Sequence, residues 1–315
     1  MAIRALSKTY TSGLFRKRTF AALKDISFEV KSGEIFGYLG PNGSGKTTTL
    51  KILIGLVFPD RGEIEILGQP QRSKAWRSRV GYLPEQPYFY DYLTAAEYLD
   101  YAGRLFGIAP SARALKSKEL LELVGLARSA DVPLRRFSKG MQQRLGLAQA
   151  LVNDPDLLFL DEPMSGLDPI GRRLVRDIIL AQRERGKTVF FSTHILPDAE
   201  TLCDRVAVLR GGELVATGRI HDILRVDVSH FEILVSGLEA DALARLPLGG
   251  GSCVRIGERA RLEVAEAQIG PVVSAVSMAA GRVLSLQPIR HSLEEFFFEQ
   301  IGGSEEAARA LEAET

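Results

Sequence analysis

Apolar runs and helical repeats alternate along most of the chain. The stretch Ile35-Phe36-Gly37-Tyr38-Leu39 is apolar throughout, which predicts a buried strand. Residues 46–54 follow with Leu50, Leu53 and Ile54 on one face, predicting a helix that Gly55 stops. Leu157-Leu158-Phe159-Leu160 sets large apolar side chains at successive positions, the pattern of a central parallel strand buried on both faces. Ser138 precedes a helical repeat through Leu145, Leu147, Ala148 and Leu151, and residues 189–193 read as a further strand. Residues 26–30 and 63–67 predict strands as well. Thr94 is placed to cap a helix through Glu97, Tyr98, Tyr101 and Leu105, and residues 118–123 predict a second helix ended by Gly125. Residues 205–209 and 213–217, joined by Arg210-Gly211-Gly212, read as a hairpin.

These elements group into segments. Residues up to about 85 mix strands with one helix, residues 88–152 are helix-rich, and residues 153–218 return to strand–helix alternation. Past residue 220 the pattern changes to short strands at 231–235, 253–256, 261–264 and 283–286, with a helix at 272–280. Ser292-Leu293-Glu294-Glu295 is a capping box that opens a helix through Phe296, Phe297 and Ile301. The expectation is an α/β domain over 1–220, a small α+β accessory domain over 221–302, and an Ala- and Glu-rich tail at 303–315, frayed or disordered.

Chemistry concentrates where strands give way to helices. Gly40-Pro41-Asn42-Gly43-Ser44-Gly45-Lys46-Thr47 lies between the first buried strand and its helix and fits G-x-x-x-x-G-K-[ST]. Glycines let successive N–H groups turn toward anionic oxygens, and the helix start adds partial positive charge at the same place. Lys46 is placed for the terminal phosphates and the Thr47 hydroxyl for Mg²⁺. Asp161 and Glu162 close the central strand at its C-terminal end, where ligands gather in open α/β sheets. Asp161 suits a hard cation, and Glu162 suits a base that polarises water. Ser138 is a natural N-cap, but Met141 at the third helical position closes no capping box. The Ser138 hydroxyl, the Gly140 N–H and the helix N-terminus are therefore open to an external anion.

Lys and Arg number 40 against 39 Asp and Glu, so charge makes no case for nucleic acid as a partner. Cys203 and Cys253 fall in separate predicted domains with no neighbours at metal spacing, and are expected to be buried, reduced thiols. No apolar run approaches the roughly 20 residues that span a bilayer, and the start carries no signal-peptide core. A membrane path, if this chain drives one, belongs to another chain.

In this order the motifs resemble those of ATP-binding-cassette (ABC) ATPases, over about residues 2–218, and within them the nucleotide-binding subunits of bacterial two-component exporters. Gly40–Thr47 resembles the family's P-loop, Gln86 its Q-loop glutamine, and Ser138-Lys139-Gly140-Met141-Gln142 its signature. Leu157 to Glu162 resembles the acidic strand, Ser165-Gly166-Leu167-Asp168 the D-loop and His194 the switch histidine. Lys139 and Met141 depart from the family pattern in a way closer to the exporter branch. The resemblance implies a mixed sheet core with antiparallel β and helical subdomains, and ATP contacts from Gly40 through Lys46, Thr47 and Thr48. It assigns Mg²⁺ to Thr47, Gln86 and Asp161, catalysis to Glu162 and His194, and adenine stacking to Tyr10, with Phe15 and Phe20 as rivals.

With one P-loop and one signature per chain, the family's arrangement is a head-to-tail homodimer around two ATP. Ser138, Lys139, Gly140 and Gln142 of one copy would close on the other copy's ATP, and Asp168 would couple the sites. A separate permease would hold the dimer at the cytoplasmic face of the membrane. Its helix would enter a groove near Gln86, with two of Tyr88, Phe89, Tyr90 and Tyr92 packed inside and the rest acting as anchors. A soluble clamp ATPase acting on nucleic acid or the ribosome is the alternative; such chains usually carry two cassettes or a long coiled coil, and this sequence has neither.

Overall fold

A computed structural model describes residues 1–12, 18–223 and 230–288. Phe15, Arg16 and Lys17, the capping box at Ser292 and residues 303–315 lie outside the described residues. In chain order the first part contains β1 (Ala2–Ser12), β2 (Arg18–Glu29), β3 (Ile35–Leu39), α1 (Lys46–Leu53), β4 (Arg61–Ile66), β5 (Gln69–Pro70) and β6 (Val80–Leu83). Then come α2 (Ala95–Leu105), α3 (Pro110–Leu123), α4 (Lys139–Ala150), β7 (Leu157–Asp161), α5 (Pro169–Glu184), β8 (Thr188–Thr193) and α6 (Leu196–Leu202). The hairpin β9 (Arg205–Arg210) and β10 (Glu213–Arg219), then α7 (Ile220–Ile223), complete a compact unit, Met1–Ile223.

A six-stranded sheet in the order β10-β9-β3-β8-β7-β6 forms the centre of this unit. The strands β3, β6, β7, β8 and β9 run parallel, and only β10 is antiparallel, returning through Gly211 and Gly212 at φ +54° and +83°. A four-stranded antiparallel sheet, β2-β1-β4-β5, lies in the same unit.

Successive residues of the central strands feed different cores. Ile35, Leu158 and Val189 join one cluster, while Phe36, Phe159 and Phe190 join the other. Side chains alternate across a sheet, so a strand covered on both faces must be apolar at every position. In the second cluster Phe28, Phe36 and Phe190 stack with ring centroids 5.5–6.1 Å apart.

The helical segment has the expected capping box: Thr94 Oγ1 accepts from the Glu97 N–H at 3.2 Å, and Glu97 Oε2 accepts from the Thr94 N–H at 2.8 Å. The next helix is longer than its apolar pattern implies. It starts at Pro110 rather than 118, because proline presets φ for the first helical turn. Its first turns face solvent, with Ser117 the first buried residue, so they carry no periodic apolar signal.

The second unit contains β11 (His230–Ser236), α8 (Ala240–Ala244), β12 (Ser252–Ile256), β13 (Arg259–Ala265), α9 (Ile269–Met278) and β14 (Arg282–Pro288). Its strands form an antiparallel sheet ordered β12-β13-β11-β14. Val272 and Val276 of α9 share a buried cluster with Ile233, Val235 and Leu262. The expectation that both thiols are buried is corrected here: Cys253 is exposed, because it lies on the edge strand β12, where every residue is exposed. In the first unit Cys203 is half-buried against Gly37, where a Cβ would come within 2.5 Å of Sγ, and burial pushes its thiol pKa up.

Candidate functional site

Parallel strands deliver their C-terminal ends to one edge of the sheet. The loops after β3, β6, β7 and β8 therefore bring Lys46, Glu85, Glu162 and His194 to a single cleft of about 440 Å³, together with Asn42, Thr47, Thr48 and Phe20. The loop between β3 and α1 bends through Gly43 and Gly45 at φ +79° and +107°. A Cβ at Gly45 would lie 2.6 Å from the Ala22 carbonyl, so glycine is required for both conformation and space.

Lys46 opens α1 and folds back over the loop. Its Nζ donates to the Gly40 carbonyl at 2.6 Å and the Pro41 carbonyl at 3.3 Å, and stands 3.5 Å from Glu162 Oε1. Burial lowers the ammonium pKa, and the charges of Glu162, Asp161 and Glu85 push it back up. A buried cation ringed by carbonyls and acids is poised to accept stronger anionic acceptors, such as phosphate oxygens.

Asp161 ends β7. Its Oδ1 accepts from Ser192 Oγ at 2.5 Å and, more weakly, from Thr47 Oγ1 at 3.5 Å, while the buried Oδ2 has no hydrogen-bond partner. Burial raises its pKa, opposed by the bonds from Ser192 and Thr47. The orphaned Oδ2 beside the Thr47 hydroxyl fits a hard cation. Among the described residues no cluster of three or more His, Cys, Asp or Glu could hold a metal. Asp161 and Thr47 would supply the one or two protein oxygens that a Mg²⁺ ion takes.

Glu162 has φ +48°. Its carboxylate Oε1 lies 3.0 Å from His194 Nδ1, and its N–H donates to the Ser192 carbonyl at 3.1 Å and to Ser192 Oγ at 3.3 Å. The residue is 6% exposed, so its side chain acts inside the cleft rather than as a solvated acid.

Several expected site residues stand elsewhere. Gln86 is exposed and does not line the cleft; the wall there is Glu85, one residue earlier in the loop. Tyr10 is not a wall either, whereas Phe20 is. The two rings pair across β1 and β2, but Phe20 is two residues from Ala22, whose carbonyl abuts Gly45; Tyr10 lies under Lys8 Nζ at 5.5 Å.

Ser138 caps α4 by accepting from the Met141 N–H at 3.2 Å. None of Ser138, Lys139, Gly140 or Gln142 lines the cleft of its own chain. Asp168 caps α5, accepting from the Gly171 N–H at 2.7 Å. Sequence reasoning missed Glu85, Ser192 and Gln143, the last of which donates to the Glu162 carbonyl. Each sits beside a recognised motif position, and their roles depend on contacts between distant segments.

A second concavity, a groove of about 980 Å³, lies in the helical segment and is lined by Tyr90, Tyr92, Leu93, Ala96, Tyr101 and Leu121, among others. Phe89 alone of the aromatic run is buried, edge-on to Tyr98 at 4.8 Å, so one ring packs inside rather than two. Tyr88 is 91% exposed, and Tyr90 packs edge-on against Tyr101.

A glycine-rich strand–loop–helix with an acidic strand end beside it defines a P-loop nucleotide-binding fold. The family described as ABC transporter matches residues 23–165. An uncharacterised ABC transporter ATP-binding protein of Synechocystis sp. is 44% identical over 300 residues, 94% of this chain and 83% of that protein. A Nod factor export ATP-binding protein I of Burkholderia lata is 44% identical over 205 residues, 64% of this chain and 67% of that one. The solved ATP-binding subunit of an ABC transporter shares 34% identity at a TM-score of 0.64, covering 71% of this chain and 91% of that subunit. A dimeric ATP-binding cassette in a post-hydrolysis state with ADP and Pi shares 27% at the same TM-score, covering 70% and 98%. The chain belongs to the ATP-binding subunits of ABC transporters. No helix among the described residues is long and apolar enough to cross a membrane.

Proposed function

We propose that this ATP-binding subunit hydrolyses ATP as the motor of an exporter, acting as a head-to-tail homodimer on a separate permease at the cytoplasmic face of the membrane. The observation that carries the catalytic reading is the meeting of Lys46, Glu162 and His194 in one cleft, with Glu162 Oε1 3.5 Å from Nζ and 3.0 Å from Nδ1. In this reading the loop from Gly40 to Thr48 cradles the phosphates and Lys46 neutralises their terminal oxygens. Glu162 orients and deprotonates the attacking water, and His194 holds the Glu162 carboxylate and contacts the γ-phosphate. Thr47 and Asp161 would hold Mg²⁺, which would supply positive charge against the phosphates. Phe20, with Tyr10 behind it, is the better adenine platform.

Ser138 and Gly140 are exposed or half-exposed at the start of α4 and absent from their own chain's cleft, which favours their closing on the ATP of a second copy. Export is favoured by the Nod factor export relative. The groove beside Tyr90 and Tyr92 is the candidate seat for the permease, and the second unit, described over 230–288, is a candidate accessory domain. Glu162→Gln tests the core of this reading. ATP binding should persist while turnover falls roughly 10²- to 10⁴-fold, and an ATP-bound dimer should accumulate on size exclusion. Near-normal turnover would remove Glu162 from its role.

A further inference from the structure

Glu162 lies at φ +48°, in the left-handed region that non-glycine side chains rarely adopt, and several bonds hold it there. Its N–H is taken by the carbonyl and hydroxyl of Ser192. Its carbonyl accepts from the Ser165 N–H at 3.0 Å and from Gln143 Nε2 at 3.2 Å. Ser165 belongs to the same turn and Ser192 to the neighbouring strand. Gln143 alone reaches in from α4, the helix that begins at Ser138. It is 1% exposed and shares the buried face of that helix with Leu147. A buried amide costs free energy unless its groups are paired, and an apolar side chain of similar length would fill the same space. The amide is therefore at this position for the bond it makes.

We propose that Gln143 is a positioning residue for ATP hydrolysis: by holding the Glu162 carbonyl it fixes the strained backbone that aims the Glu162 carboxylate, and so ties the base to the seating of α4. The inference rests on the reading of Glu162 as the water-activating residue.

Gln143→Met keeps the length of the side chain and removes the donor. The expected result is a fall in kcat of roughly 10- to 100-fold, the effect of misplacing a catalytic group by up to about 1 Å, with KM for ATP changed less than about twofold. In the Glu162→Gln background the same substitution should alter residual turnover by less than about twofold, because there is no base left to aim. Equal losses in both backgrounds would mark Gln143 as a packing residue only and overturn the proposal.

Gln143→Glu supplies a second readout, since a protonated carboxyl can donate to the Glu162 carbonyl and an ionised one cannot. Its activity relative to the unsubstituted protein should rise as pH falls, and a ratio independent of pH contradicts the proposal. The two readings fail separately. Normal turnover in Glu162→Gln alone defeats the catalytic reading, whereas an inactive Glu162→Gln with fully active Gln143→Met defeats only this inference.

Discussion

Asp161 and Lys46 bring opposite charges into the same buried edge of the sheet; Lys46 is held by two carbonyls and Glu162, whereas Asp161 Oδ2 has no partner in the protein. The carboxyl of Asp161 has a folded pKa above its ordinary value because burial disfavours its ionised form. An acid raised in this way destabilises the fold above its folded pKa, and the penalty fades as pH falls toward the ordinary carboxylate range. Asp161→Asn should therefore raise the melting temperature of the nucleotide-free protein near pH 8, by roughly 2–4 °C if about 1 kcal/mol is relieved. The gain should shrink as pH falls toward the ordinary carboxylate range, while Mg²⁺-dependent hydrolysis is lost throughout. A lower melting temperature at about pH 8 would mean that the ionised carboxylate stabilises the fold. Lys46→Ala removes the cation rather than the cation's ligand, and calorimetry should find ATP affinity greatly weakened. Unchanged affinity would place the phosphates elsewhere.

At the scale of elements, the aromatic run after β6 divides its work between core and surface. Phe89 packs edge-on against Tyr98 of α2, so Phe89→Ala should cost roughly 3–5 kcal/mol of stability and abolish ATPase activity with it. Tyr90 and Tyr92 line the groove beside α2 and α3, and Tyr88, two residues before Tyr90, is exposed. Replacing these three with Ala should leave the melting temperature and basal ATPase near normal. Recruitment to permease-containing membranes should weaken, since aromatic anchors commonly contribute about 2 kcal/mol or more each. If the triple variant pellets with membranes as well as the unsubstituted protein, the groove is not the docking surface. One residue step inside this run separates a buried ring from an exposed one, and only packing decides which is which.

At the scale of the whole molecule, the signature turn and the phosphate loop belong to the same unit yet do not meet in it. In the proposed two-fold dimer each ATP would take a P-loop from one copy and a signature from the other, which would resolve that separation. Ser138→Arg should leave ATP binding to the monomer intact and block hydrolysis, because it obstructs the partner's site rather than its own. A mixture of Ser138→Arg and Lys46→Ala chains should regain part of the activity, since one of the two sites in each heterodimer is then unaltered. An inactive mixture of well-folded chains would argue against composite sites that act independently.

Much of the site was legible in the sequence because its parts are local. The turn from Gly40 to Thr47 needs glycine at defined positions, Asp161 and Glu162 follow a strand whose unbroken apolar run marks it as central, and Ser138 announces a helix start. Each is a constraint between neighbours in the chain, and neighbours constrain one another through backbone geometry alone. The tertiary structure decided what depends on distance through space. It put Phe20 rather than Tyr10 on the cleft wall, Glu85 rather than Gln86 beside the acids, and Cys253 on an exposed edge strand. It extended α3 back to Pro110 over turns that face solvent and carry no apolar period. Above all it joined Gln143 and Ser192 to the backbone of Glu162. Such bonds leave no repeat or spacing in a sequence, because they link segments that meet only when the parallel strands are laid side by side.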